Sequence, residues 1–339
     1  MQSPRASLLV AITVLAAALR FWGLFWAAPD RIDLHPDEVD HVMSHALSIS
    51  LADPDPKFLN YPSLLMYTIA AANGVLRRLR LIDADWQSYV VGRSIVAGFG
   101  AATAPVAFWL AEAVGASLAG AALAGLWMAL LPVHVWESHV AVTDVVMTFW
   151  VMVALLLSVR LIRRESNLDY ALAGGAIGLA VASKYTAALV AIAPVVALAR
   201  AHRPIGRRLR GLAVVGVSAA AACVLATPYS FYHFDELRRA MAYEWSHTHG
   251  FHTGFSLPAI GPQYRKYLYQ IVAAWPFRTR SSFPSSSGRP HGSNQRARRA
   301  GAPHGFSHGD RPGGTAFAGR FVSRARGLPV SAARRSNFT

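Results

Sequence analysis

An all-α, polytopic membrane bundle is the fold class this sequence predicts, and three observations predict it. Hydrophobic residues make up 53% of the 339 positions and charged ones only 15%, which is poor in charge for a soluble protein. Apolar segments recur along the chain with no long polar loop between them. Finally, arginines collect in the short connections, where topology rather than nucleic acid explains them. The net charge of +15 does not point to nucleic acid either, since residues 277–339 hold twelve Arg against the single acid Asp310 and leave only +4 to the rest. The lone cysteine, Cys223, excludes an intrachain disulfide.

Taken in order, the first span runs from Ala6 to Ala28 and ends in Phe21-Trp22-Gly23-Leu24-Phe25-Trp26. That aromatic run suits an interfacial belt and an uncleaved span better than a signal peptide. Further apolar segments lie at about 94–111, 113–136, 145–159, 170–183, 185–199 and 211–228, for about seven spans in all. Gly174 with Gly178, and Ala121 with Gly125, place small residues four apart, as close helix packing requires. The stretch 170–199 is too long for one span and is expected to turn at Lys184.

The segment 61–76 decides the topology. If it crossed, Arg160, Arg163, Arg164 and the cluster Arg200, Arg203, Arg207, Arg208 and Arg210 would all lie outside. An interfacial helix there puts both clusters inside, with the N-terminus. Asp37-Glu38, the loop Glu137–Asp144, Lys184 and Tyr229–Glu236 then share the outer face.

The chemistry centres on His35-Pro36-Asp37-Glu38, just beyond the first span. Pro and acids in a first turn are ordinary helix-start chemistry, so the motif alone is weak. Its weight comes from Asp144, a second acid on the same predicted face, after Glu137-Ser138-His139. Arg20, near the outer end of the first span, either snorkels to the interface or serves as counter-ion for a phosphate or for Asp37. Lys184, at the hairpin turn, is interfacial or meets a lipid phosphate. His247, His249 and His252 match no helical face, so a zinc site is not expected there.

With these residues in place, the chain resembles the GT-C glycosyltransferases. It is most similar to the dolichyl-phosphate-mannose protein mannosyltransferase type and its bacterial relatives, including the aminoarabinose transferases. The resemblance covers about residues 8–275. It rests on Leu19-Arg20-Phe21-Trp22-Gly23, His35-Pro36-Asp37-Glu38, Asn60-Tyr61-Pro62-Ser63-Leu64, Arg93, Leu130–Asp144, Ser183-Lys184-Tyr185-Thr186 and Thr227-Pro228-Tyr229.

What the resemblance implies is a GT-C bundle with an external loop helix after the first span, in a multi-pass protein of the bacterial inner membrane. The activity implied is transfer of a sugar from a polyprenyl-phosphate donor to a hydroxyl or amine of a protein, glycan or lipid acceptor, with inversion, on the non-cytoplasmic face. Asp37, Glu38 and Asp144 are then the candidate catalytic residues. Arg20, His35, Tyr61, Arg93, His139, Lys184 and Tyr229 are candidates for substrate binding. Members differ in metal dependence; where a divalent metal is used, Asp37 and Asp144 would hold it. A transporter is the competing class. It predicts repeated halves and ionisable residues at mid-membrane, neither of which is evident.

Two modules are expected, a glycosyltransferase part at 1–276 and a tail at 277–339. The tail is rich in Arg, Ser, Gly and Pro and has no Leu or Ile before Leu328. It reads as a disordered tail or, better, as GC-rich coding sequence translated out of frame, which would leave the family's remaining spans missing and this form unstable or inactive.

Overall fold

In the computed structural model, residues 4–25, 28–29 and 35–249 are described. The chain divides into two compact units, Met1–Ser281 and Ser282–Thr339, and every described residue belongs to the first. The helix expected over Gln263–Trp275, the histidine run beyond His249 and the 277–339 tail lie outside the described residues.

The described secondary structure is helical throughout. Helix α1 (Pro4–Phe21) is followed by a π-helix (Asp37–Met43) that continues as α2 (Ser44–Ser48). Then come α3 (Leu64–Arg78), α4 (Asp85–Ala113), α5 (Leu118–Leu130), α6 (Pro132–Glu137) and α7 (Thr143–Arg160). After α8 (Asn167–Ser183), a 3₁₀ turn (Tyr185–Ala191) leads into α9 (Ile192–Arg200), α10 (Ile205–Ala226), α11 (Tyr229–Tyr232) and α12 (Phe234–His249). All seven apolar segments are therefore helical, but among the described residues four helices (α1, α4, α7 and α10) are long and apolar enough to cross a membrane.

The departures from expectation have local causes. The first helix stops at Phe21 because Gly23 adopts φ +81°, a left-handed conformation that ends a helix. The 113–136 segment is two helices rather than one. Gly115 turns the chain at φ +96° and Ser117 caps α5 by accepting from the Gly120 N–H (3.2 Å). Pro132 then forces Leu131 out of helical geometry and starts α6. The second span begins at Asp85, nine residues before its apolar core, because Gln87 Oε1 accepts from the N–H groups of Asp83 (2.7 Å) and Ala84 (2.9 Å).

Two ion pairs fix the course of the chain. Arg5, at the start of α1, grips Glu112, at the end of α4, through two bonds of 2.8 Å. Glu38, just after α1, is bound by Arg93 near the start of α4. Helices α1 and α4 are thus antiparallel neighbours, and everything between them leaves and returns on one side. Helix α3 therefore does not cross, as expected for 61–76. Its buried side chains (Leu65, Met66, Ile69) pack with Val42, Met43 and Val96 in one core.

The small-residue stripes act as expected. A Cβ on Gly174 or Gly178 would collide with the carbonyl oxygens of Val215 or Ala219, so α8 and α10 meet backbone to backbone. Gly125 lies equally close to the Ala104 carbonyl and Phe108 on α4, and Ala121 is fully buried beside it. The hairpin turns where Lys184 becomes extended (φ −156°, ψ 130°).

Candidate functional site

The end of the bundle that holds Glu38 also holds a cleft of about 500 Å³, lined by His35, Asp37, Glu137, Asp144 and the apolar Met128, Leu131 and Val145, among others. Three separate stretches supply its acids. Asp37 opens the π-helix after Pro36, a rare geometry that is often found at functional sites. Glu137 ends α6, and Asp144 lies in the first turn of α7, where a carboxylate suits the positive end of the helix dipole. The backbone N–H of Glu38 points to His35 Nδ1 (3.4 Å), which holds the ring against the start of the π-helix.

Asp37 is about half exposed and, among the described residues, its one ion-pair contact is a long one, to His41 Nε2 at 3.9 Å. Asp144 is partnered: Lys184 Nζ donates to both of its oxygens, at 2.7 and 3.0 Å. Lys184 also lies 6.0 Å from the Tyr61 ring centroid, and Tyr61 meets His41 edge-on at 5.4 Å. Burial pushes the Tyr61 hydroxyl up to about 12, helped by Asp37, Glu244 and Asp144. It is therefore a neutral hydrogen-bonding group at ordinary pH. The Glu137 carboxyl is raised as well, by burial first and then by the charge of Asp144, with His35 and Lys184 pulling the other way and Asp37 adding least.

Glu38 and Arg93 are placed differently from Asp37. Both are fully buried and joined fork to fork at 2.8 and 2.7 Å. Glu38 Oε1 also accepts from the Ala141 N–H at 2.8 Å, three residues before Asp144. The pair ties the π-helix, α4 and the loop into α7 to one another. Neither side chain faces the open cleft, which departs from the expected catalytic and substrate-binding roles.

Arg20 also departs from the expected counter-ion. Its guanidinium is fully buried and donates to the carbonyls of Ala16 (3.1 Å), Ala129 (3.0 Å) and Met128 (3.0 Å), and to His134 Nδ1 (2.9 Å). The reason is Pro132. The Met128 carbonyl would ordinarily receive the N–H four residues on, and proline has none. Arg20 supplies the missing donor from a neighbouring helix. Because His134 Nδ1 accepts, its neutral ring carries the proton on Nε2.

His139 sits apart from the cleft, between the carbonyls of Val135 (2.7 Å) and Trp22 (2.9 Å), and so pins α6 to the end of α1. Tyr229 stacks on His233 (5.9 Å, 21°) on the same end of the bundle, but it does not line the cleft. His233 pairs with Asp55 (3.1 Å) and Asn60 donates to Glu244 (2.8 Å), which fastens α11 and α12 over the loop before α3.

Among the described residues, no three His, Cys, Asp or Glu side chains come close enough to share a metal ion. Asp144 is bonded to Lys184 instead, so Asp37 and Asp144 do not form a metal site in this arrangement. Sequence reasoning missed Glu137 as a member of the cleft, although it adjoins the singled-out Ser138-His139. It also missed the Arg20–α5 contact, for which Pro132 was the available signal.

A family model for dolichyl-phosphate-mannose-protein mannosyltransferases matches residues 10–234. Among solved structures, the Saccharomyces cerevisiae protein O-mannosyltransferase Pmt1–Pmt2 complex bound to the sugar donor is similar, with 17% identity and a TM-score of 0.53. The match covers 70% of this chain and 34% of that one, so the chain spans about a third of the length of the protein it resembles. At that identity the likeness is one of fold. No curated protein matches the sequence. Two thirds of the chain fall within the matched family model, and the cleft at Asp37 and Asp144 lies within the same range; the chain belongs to the dolichyl-phosphate-mannose-protein mannosyltransferase family.

Proposed function

We propose that the Asp37 cleft transfers a mannosyl-type sugar from a polyprenyl-phosphate donor to a hydroxyl or amine acceptor. The observation that carries this reading is the meeting of Asp37, Glu137 and Asp144 in one cleft from three separate segments, with Asp144 bonded to Lys184 beside it. The family supports a lipid-phosphate donor. A protein acceptor, and a cleft facing the non-cytoplasmic side of a bacterial inner membrane with the N-terminus inside, complete the proposal.

Asp37 acts as general base, since it is half exposed and has no close cation among the described residues. Its carboxylate takes the proton of the acceptor hydroxyl as that oxygen attacks the anomeric carbon. The bond from this carbon to the phosphate oxygen breaks on the opposite side, so configuration inverts and the phosphate leaves with the electron pair. Lys184 compensates the phosphate charge, and Asp144 holds its ammonium in place. Arg93, Glu38 and Arg20 position the cleft walls.

The test is radiolabelled transfer from polyprenyl-phosphate mannose by membranes containing the chain, together with donor binding. Lys184→Gln should weaken donor binding, whereas Asp37→Asn should retain it and lose transfer. Unchanged donor binding by Lys184→Gln would overturn the assignment of the phosphate subsite.

A further inference from the structure

We infer that the opposite end of the bundle carries a binding site for the headgroup of an anionic glycerophospholipid. A cavity of about 890 Å³ opens there between α1, α4, α7 and α9. Its rim carries Arg5, Arg160, Arg163, Arg164 and Arg200. Arg5 is committed to Glu112 and Arg164 faces Asp169 at 3.8 Å, whereas Arg160, Arg163 and Arg200 form no ion pair among the described residues. Three cations therefore converge on one hollow with no acidic partner among the described residues, since Glu112, the acid in the lining, is held by Arg5.

The walls are those a lipid needs. Trp109, Leu155, Val159 and Val196 continue the cavity along the apolar faces of α4, α7 and α9, where acyl chains would lie. Ser158 also lies against the cavity, with its side chain almost fully buried behind the wall. Positive-inside topology accounts for arginines in these loops. It does not account for a cavity that gathers three of them over an apolar wall. Basic pockets between membrane helices are suited to anionic headgroups. The site is separate from the Asp37 cleft, at the other ends of α1 and α4.

The full chain, purified in detergent and exchanged against equal amounts of 1-palmitoyl-2-oleoyl phosphatidylglycerol and phosphatidylcholine, tests this by quantifying co-purified lipid. Each basic group near a bound anionic headgroup contributes about fivefold, so phosphatidylglycerol should be retained at least about tenfold over phosphatidylcholine. The Arg160→Gln, Arg163→Gln, Arg200→Gln triple variant should lose that preference. The double control Arg78→Gln, Arg239→Gln, on the cleft side, should keep it. Ala193→Trp, which fills the cavity and leaves every charge in place, should lose it too and guards against a triple variant that fails to fold. Equal retention of the two lipids by the wild type would overturn the site. So would an Ala193→Trp variant with undiminished preference, or displacement of the lipid by inorganic phosphate alone.

Discussion

Replacing Glu38 with Gln should unfold the active end of the bundle rather than only slow its chemistry. The carboxylate and the Arg93 guanidinium are both fully buried, 2.7–2.8 Å apart in a bidentate pair. Losing one charge strands the other, a change that costs about 3–5 kcal/mol when the site is dry. With a thermal midpoint moving about 2–4 °C per kcal/mol in a domain of this size, the melting temperature should fall by roughly 6–20 °C. Arg93→Met should fall as far. The double change Glu38→Leu, Arg93→Met should recover most of the loss, because a buried pair exchanged for apolar side chains is close to neutral. Melting of the detergent-solubilised chain followed by near-UV circular dichroism or tryptophan fluorescence reads all three. A Glu38→Gln protein that melts within about 2 °C of wild type and loses only transfer would refute the reasoning and restore Glu38 as a catalytic group.

Arg20→Met should also destabilise by several kcal/mol, since it leaves the Met128 and Ala129 carbonyls without their donor; a melting curve matching wild type would contradict this. Gly178→Leu should separate α8 from α10, because even a Cβ meets the Ala219 carbonyl, and limited proteolysis should then cut between them where wild type resists. Glu137→Gln should raise the melting temperature at neutral pH. The folded carboxyl titrates above its ordinary 4.5, so wild-type stability is full below that value and falls as pH rises through the raised one; an advantage for Gln that grew toward acid would have the wrong sign. Single cysteines at Leu51 and Trp136 in a Cys223→Ala background, both exposed, should label from one side of the membrane, and cysteines at Ser166 and Gly206 from the other; if Leu51 and Trp136 label from opposite sides, α3 crosses.

Much of this fold was legible because membrane helices advertise themselves by composition, and because the eight arginines of 160–164 and 200–210, against Arg77, Arg78 and Arg80, decided the course of 61–76. The glycine spacing at Gly174 and Gly178 also foretold which faces touch, though not that α10 is their partner. Asp37 and Asp144 were recognisable as a convergent pair once topology put them on one face. What could not be read was direction: adjacent Asp37 and Glu38 look equivalent in sequence, yet a π-helical turn sends one into the cleft and buries the other against Arg93. Arg20 read as a snorkelling side chain or a counter-ion because a lone charge in a span invites both readings. Its use follows from a proline more than a hundred residues away, a non-local relation that no local pattern carries.

The most direct test of the account is the rate at which label passes from polyprenyl-phosphate mannose to acceptor in membranes containing wild-type or Asp37→Asn chain, with donor binding and melting temperature measured on the same preparations. The account predicts a fall of about 10²–10⁴ in transfer, with donor binding and melting temperature unchanged. Transfer by Asp37→Asn within a few fold of wild type, or a wild-type chain that binds no donor, would contradict it.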